Sequence, residues 1–138
     1  MSDVVYIALG SNLGDREAAL AEARRAIASI PQTRILASSG VEETEPLGPV
    51  PQGKYLNQMI AVSTALEPRT LLAALNDIER RAGRVRSVKW EPRTIDLDIV
   101  MIEGRKYEDE ALTIPHPELP NRDFWVRHLA ELRGRTDD

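Results

Sequence analysis

The chain has 138 residues, 42% of them apolar and 29% charged, with a net charge of −4 and no cysteine. Those values fit one soluble domain spanning 1–138 with a core of its own, and they exclude disulfides, thiolate chemistry and a Cys-based zinc site. The acidic balance argues against a general nucleic-acid binder or a partner for anionic membranes, and no apolar run approaches the ~20 residues of a membrane span. With no signal-peptide pattern at the start, the expected setting is cytoplasmic.

In chain order, Asp3–Leu9 is a run rich in Val, Tyr and Ile that reads as a buried strand stopped by Gly10. Between Asn12 and Ile30 a loop leads into a helix, with Leu20, Ala23, Ile27 and Ile30 on one face and Pro31 ending it. Arg34–Thr44 is the next strand, of poor periodicity. Glu45–Lys54, with Pro46, Pro49, Pro51, Gly48 and Gly53, must be a loop, and loops of that length inside a compact domain are often functional. Tyr55–Leu66 is a long strand with Leu56, Ile60, Val62 and Leu66 on one face, while Tyr55 and Asn57 share the other. Pro68 stands where a helix would start, and Leu71, Leu72, Leu75, Ile78 and Ala82 form its apolar stripe before Gly83 ends it. Arg84–Pro92 is a second polar loop, expected to be mobile. The strand Ile95–Met101 follows, then a short hairpin from Arg105, a turn around Pro115–Pro120 and a last helix from about Arg122. The order β-α-β-β-α-β closes most simply as a ferredoxin-like α+β fold: a four-stranded antiparallel sheet with two helices on one face.

The most informative segment is Arg93-Thr94-Ile95-Asp96-Leu97-Asp98-Ile99-Val100. Asp is depleted in strands because its short polar side chain competes for the backbone, yet two stand inside this apolar run. Alternation turns Ile95, Leu97, Ile99 and Met101 one way and Asp96 and Asp98 the other, with their Cα atoms roughly 6.5 Å apart. Parallel carboxylates at that spacing suit a hard, oxygen-seeking cation such as Mg²⁺. Just before them lies the densest basic stretch of the chain, Arg80, Arg81, Arg84, Arg86, Lys89 and Arg93. Complementing a helix C-terminus accounts for Arg80 and Arg81 but not for those beyond Gly83. Arginine forks match phosphate oxygens, so cations beside a metal-binding acid pair suit polyphosphate transfer. Trp90, in a polar loop of a chain only 4% aromatic, fits stacking on a flat ligand, or a loop that folds inward, better than a core role. Taken alone, His116 in a proline-flanked turn is more often structural than catalytic, and Gly10-Ser11-Asn12 fits either a phosphate turn or a tight strand exit.

Assembled, these segments resemble the 6-hydroxymethyl-7,8-dihydropterin pyrophosphokinase family over about Val5–Leu132. The resemblance rests on Ala8-Leu9-Gly10-Ser11-Asn12-Leu13, Thr44-Glu45-Pro46-Leu47-Gly48-Pro49, Tyr55-Leu56-Asn57 and Ile78-Glu79 with Gly83-Arg84-Val85-Arg86. It continues through Trp90-Glu91-Pro92-Arg93-Thr94-Ile95-Asp96-Leu97-Asp98, then Ile114-Pro115-His116-Pro117 and Arg122-Asp123-Phe124. It implies a ferredoxin-like fold and transfer of a diphosphoryl group from ATP to the pterin hydroxymethyl, giving AMP and the pterin diphosphate for tetrahydrofolate biosynthesis. By the same match, Asp96 and Asp98 would ligate two Mg²⁺ ions bridging the ATP phosphates. Arg84, Arg93, His116 and Arg122 would hold those phosphates, with Arg86 a loop contact, and Glu79, Ile99 and Thr113 would border the nucleotide. The pterin would stack between Tyr55 and Phe124. Asn57, Thr44 and the backbone of Pro46, Leu47 and Gly48 would bond its polar edge, and Trp90 would close over it. Asp96 would also accept or polarise the hydroxyl proton. The catalytic set implied is Arg84, Arg93, Asp96 and Asp98. Independently of the match, no heptad or obvious apolar patch demands an oligomer, so a monomer is expected.

Three departures from the family pattern stand out. Glu91 occupies a position that is usually small, the Arg84–Trp90 loop is slightly short, and the chain stops at Asp138 where most members continue past the final helix. Two other readings are weaker. In nucleotidyltransferases the acid pair follows Gly-Ser closely, whereas here it lies far downstream of Gly10-Ser11. A ferredoxin-like RNA-binding module would carry base-stacking aromatics on its strands and a basic surface.

Overall fold

The computed structural model describes residues 2–45, 53–84 and 95–136. Its elements run β1 (Asp3–Ser11), α1 (Arg16–Ala28), β2 (Thr33–Ser38), β3 (Glu42–Thr44), β4 (Tyr55–Thr64), α2 (Pro68–Arg84), β5 (Asp96–Ile102), β6 (Tyr107–Glu108), β7 (Thr113–Ile114) and α3 (Asp123–Thr136). The result is a mixed α/β architecture with an open antiparallel sheet in the order β2-β4-β1-β5, with β3 also on β4 and β6–β7 a separate pair.

Among the described residues the sheet has five strands, not four, because the expected strand Arg34–Thr44 is broken in two. Ser39 causes the break: its backbone N–H still reaches Met59 O (2.8 Å), but its hydroxyl accepts the Met59 N–H (2.9 Å) in place of a backbone carbonyl. Both pieces lie on the same edge of β4, with β2 against Ile60–Thr64 and β3 against Tyr55–Asn57. Nor does Gly10 stop the first strand. β1 continues through Ser11, with Gly10 opposite Asn57 on one side and Asp96 on the other. Pairing on both edges overrides glycine's poor strand propensity.

Period-two alternation sorts the sheet into two faces. Val5, Ile7 and Leu9 of β1, Ile60 and Val62 of β4, and Leu97 and Ile99 of β5 face α1 and α2, where Leu20, Ala23, Ile27, Leu71, Leu75 and Ile78 complete the main core. α1 starts at Asp15, whose carboxylate accepts the Ala18 N–H at 3.0 Å. On the opposite face Tyr6, Ala8, Met59, Ala61 and Val100 pack against Trp125, Leu129 and Leu132 of α3. Met101 belongs to this second face, not with Ile95, Leu97 and Ile99, because a register shift between Tyr6 and Ile7 inserts a bulge in β5. α3 covers only the half of the face near Tyr6 and Ala61. The other half, where β1, β3, β4 and β5 carry Gly10, Thr44, Asn57 and Asp96, is left as an open cleft. Among the described residues, no helix is long and apolar enough to cross a membrane.

Candidate active site

The cleft has a volume of about 390 Å³, within the range of small-molecule sites. Ala8 and Gly10 line it from the centre of the sheet, flanked by Asp96 and Asp98 on β5 and by Tyr55 and Asn57 on β4. Thr44 and Glu45 border it beside β4, and Arg122, Phe124 and Trp125 do so from the start of α3. The narrow floor results from small residues. A Cβ at Gly10 would lie 3.2 Å from Asn57 Oδ1 and 3.6 Å from Tyr55 Cδ1.

The carboxylates share a face as alternation requires, and both remain partly exposed. Buried Glu79 of α2 fixes the residue between them, its Oε2 accepting the Leu97 N–H at 2.8 Å. β5 is an edge strand, so this bond satisfies a donor that no neighbouring strand takes. His116 Nδ1 accepts the Glu118 N–H at 3.0 Å, which leaves the proton of a neutral ring on Nε2, 3.9 Å from Asp98 Oδ1. The His116 ring meets the buried Trp125 ring edge-on at 5.0 Å. Arg122 stacks on that same indole, with Cζ 4.3 Å from the ring centroid, and its buried Nε has no hydrogen-bond partner among the described residues. A permanent cation with an unspent N–H at a cleft wall is a ready anion ligand.

Asn57 is buried and anchored, its Nδ2 donating to Thr44 Oγ1 at 2.6 Å. Burial pushes the Tyr55 hydroxyl above its ordinary pKa, and the nearby Asp96 carboxylate adds to this while Arg122 opposes it. Tyr55 therefore stays an uncharged flat surface and a donor at neutral pH.

Of the residues singled out from sequence, Thr44, Tyr55, Asn57, Glu79, Asp96, Asp98, Arg122 and Phe124 line this one cleft, and His116 stands at its edge. Ile99 does not: alternation puts its side chain in the main core, 2% exposed, so only its backbone is free to face a ligand. Thr113 lies on β7, outside the cleft lining. Pro46, Leu47, Gly48, Arg86, Trp90, Arg93 and the Arg84 side chain lie outside the described residues, as does Glu91. Sequence reasoning missed Trp125, the platform under both His116 and Arg122. The available signal was its i+3 spacing from Arg122 at a helix start, which brings the two side chains together.

Among the described residues no group of three or more His, Cys, Asp or Glu is placed to hold a metal ion. The Asp pair still fits Mg²⁺, which keeps several waters and takes one or two carboxylates plus substrate phosphates.

An open antiparallel sheet thus presents a carboxylate pair and an aromatic and amide wall to one cleft. Comparison with known proteins supplies the class of enzyme. The sequence model of the 7,8-dihydro-6-hydroxymethylpterin-pyrophosphokinase family matches residues 6–134, and the chain belongs to that family. It is 39% identical over 132 residues to the 2-amino-4-hydroxy-6-hydroxymethyldihydropteridine pyrophosphokinase of Bacillus subtilis, covering 96% of this chain and 79% of the relative. It is 41% identical over 127 residues to the Methylorubrum extorquens protein of the same name, covering 92% and 80%. The bifunctional protein FolKE of Lactococcus lactis subsp. lactis is 39% identical over 127 residues, covering 92% of this chain and 36% of that longer protein. The chain is thus a pyrophosphokinase acting on hydroxymethyldihydropterin in folate biosynthesis, and an enzyme of this kind uses ATP with a metal.

Proposed function

We propose that the cleft over Ala8 and Gly10 is where the diphosphoryl group of ATP passes to the hydroxymethyl of 6-hydroxymethyl-7,8-dihydropterin. The observation that carries this reading is the pairing of two unlike walls across one narrow floor: Asp96 and Asp98 on β5, Tyr55 and Asn57 on β4. One wall suits a metal-bound polyphosphate, the other a flat, amide-like ring.

The pterin stacks between Tyr55 and Phe124. Asn57, held by Thr44, offers a donor and an acceptor to its polar edge, with the backbone of Pro46, Leu47 and Gly48 beside it. Trp90 closes over the ring. Arg84, Arg93, His116 and Arg122 hold the phosphates, with Arg86 as a loop contact, while Glu79, Thr113 and the backbone of Ile99 border the nucleotide. Asp96 and Asp98 would hold two Mg²⁺ ions, which when bound neutralise phosphate charge and polarise the attacking hydroxyl. That oxygen forms a bond to the β-phosphorus of ATP as the bridge to the α-phosphate breaks. AMP leaves with the bridging oxygen, and Asp96 takes the hydroxyl proton. Arg122, braced on Trp125, needs no rearrangement to meet the developing charge.

The strand order supports reading the sheet as ferredoxin-like βαββαβ, with β2 and β3 as two parts of its second strand. We read 1–138 as a single catalytic domain that acts as a monomer in the cytoplasm. The test is product analysis with ATP, Mg²⁺ and 6-hydroxymethyl-7,8-dihydropterin. AMP and pterin diphosphate are expected in equal amounts. Release of ADP or of free pyrophosphate would reject the reaction.

A further inference from the structure

We propose that Glu42 and His128 are positioning residues of the pterin subsite, a strut that sets the gap between the strand wall and the helix wall. Glu42 opens β3 and is the register partner of Asn57, while Thr44, two residues on, is the partner of Tyr55. Residues two apart on a strand share a face, so Glu42 stands on the same side as the Thr44 hydroxyl that anchors Asn57. Its carboxylate does not stay within the sheet. Oε1 meets His128 Nε2 of α3 at 3.0 Å, and Oε2 accepts from Arg127.

His128 is the unusual partner. It is only 5% exposed, and its ring lies 6.4 Å from that of Phe124, one turn earlier on the same helix. Its buried Nδ1 has no hydrogen-bond partner among the described residues. With Nε2–H donated to Glu42, the bond is the ring's one polar anchor among the described residues, and it fixes ring and helix together. A buried imidazole that merely filled space would be replaced without loss by an apolar ring. This one joins the strand carrying Thr44 to the helix carrying Phe124. Through those two neighbours it reaches Asn57 and the stacking face, without touching substrate itself.

The inference rests on the reading that the pterin lies between Tyr55 and Phe124, and the experiment separates the two. Equilibrium binding of the pterin is followed by its own fluorescence, alongside steady-state kinetics, for Glu42→Ala, Glu42→Gln, His128→Ala and Arg127→Ala. Loss of one part-buried hydrogen bond should raise the pterin KM and Kd about three- to tenfold in Glu42→Ala, with kcat and the ATP KM within about twofold. His128→Ala should match it, and the double variant should be no worse than either single, since both remove one bond. Glu42→Gln, which keeps an acceptor for Nε2–H, should recover most of the affinity. Arg127→Ala, which removes only the exposed ion pair, should bind as the parent does. If His128→Ala fails to fold, the contrast between the two Glu42 variants decides alone. Unchanged pterin affinity in Glu42→Ala, or equal losses in kcat and both KM values, would overturn the strut. Parent-like pterin binding by Tyr55→Ala and Phe124→Ala would instead overturn the stacking reading on which it rests.

Discussion

Gly10→Ala adds one methyl group to the centre of the floor, and the surrounding distances determine its effect. The new carbon would lie 3.2 Å from Asn57 Oδ1, where ordinary contact begins at 3.4 Å, so the amide must yield by a few tenths of an ångström. Asn57 has little room to yield, being 7% exposed and bonded to Thr44 at 2.6 Å. Stability should fall by about 0–2.5 kcal/mol. Relief of glycine's entropy cost favours alanine by about 0.5–1 kcal/mol, and mild overpacking opposes it by about 1–3 kcal/mol. The diagnostic effect should be on recognition. A misaligned amide forfeits about 0.5–1.5 kcal/mol of hydrogen bonding, which is about two- to tenfold in pterin KM, with kcat and the ATP KM nearly unchanged. The decisive assay is a double-mutant cycle with Asn57→Ala, which removes the atom that the methyl strikes. In that background Gly10→Ala should cost nothing more in pterin affinity. If the two penalties simply add, Gly10 acts through the strand as a whole and the steric argument fails.

Three other outcomes are expected. Asp98→Asn keeps the shape but removes a charge and a hard ligand, so turnover should fall about 10²-fold or more while pterin binding alone changes little; near-parent turnover at limiting Mg²⁺ would rule out metal binding at the pair. Glu79→Leu strands the Leu97 N–H on an edge strand and should lower unfolding free energy by about 1–3 kcal/mol, whereas Glu79→Gln keeps an acceptor and should lose less; denaturant midpoints decide between them. Asp109 is held at a pKa of about 2, first by the Tyr107 hydroxyl and then by the backbone N–H of Ala111, Arg69 and the N–H of Leu112. A depressed carboxylate stabilises the fold above its ordinary value of 3.8, and that contribution is lost as pH falls toward 2. Asp109→Asn should therefore flatten the decline in melting temperature between about pH 4 and pH 2, and an unchanged acid limb would contradict the assignment.

What was legible in the sequence was what periodicity determines locally. Alternation alone sent Asp96 and Asp98 to the face opposite Ile95, Leu97 and Ile99, and it put Tyr55 and Asn57 on the face opposite Leu56 and Ile60. The stripes of α1 and α2 likewise marked their buried sides. The misses are of another kind, since each depends on a partner distant in sequence. Gly10 reads as a stop because glycine seldom extends a strand, and only its two neighbours, Asn57 and Asp96, hold it in one. Ser39 breaks a strand by turning its hydroxyl onto Met59, a side-chain bond that no alternation pattern encodes. Met101 changes face through a bulge set by its pairing with β1. Above all, an amphipathic α3 does not declare which face of a sheet it will cover. That choice creates the site, because a third helix beside α1 and α2 would have left the Asp96 and Asn57 walls without Arg122, Phe124 or Trp125. The strand residues of the site are therefore readable one by one, while the cleft itself exists only once α3 has docked on half of their face. Substitutions in the α3 interface with Met59 and Ala61 should accordingly act on the cleft more than their distance from it suggests.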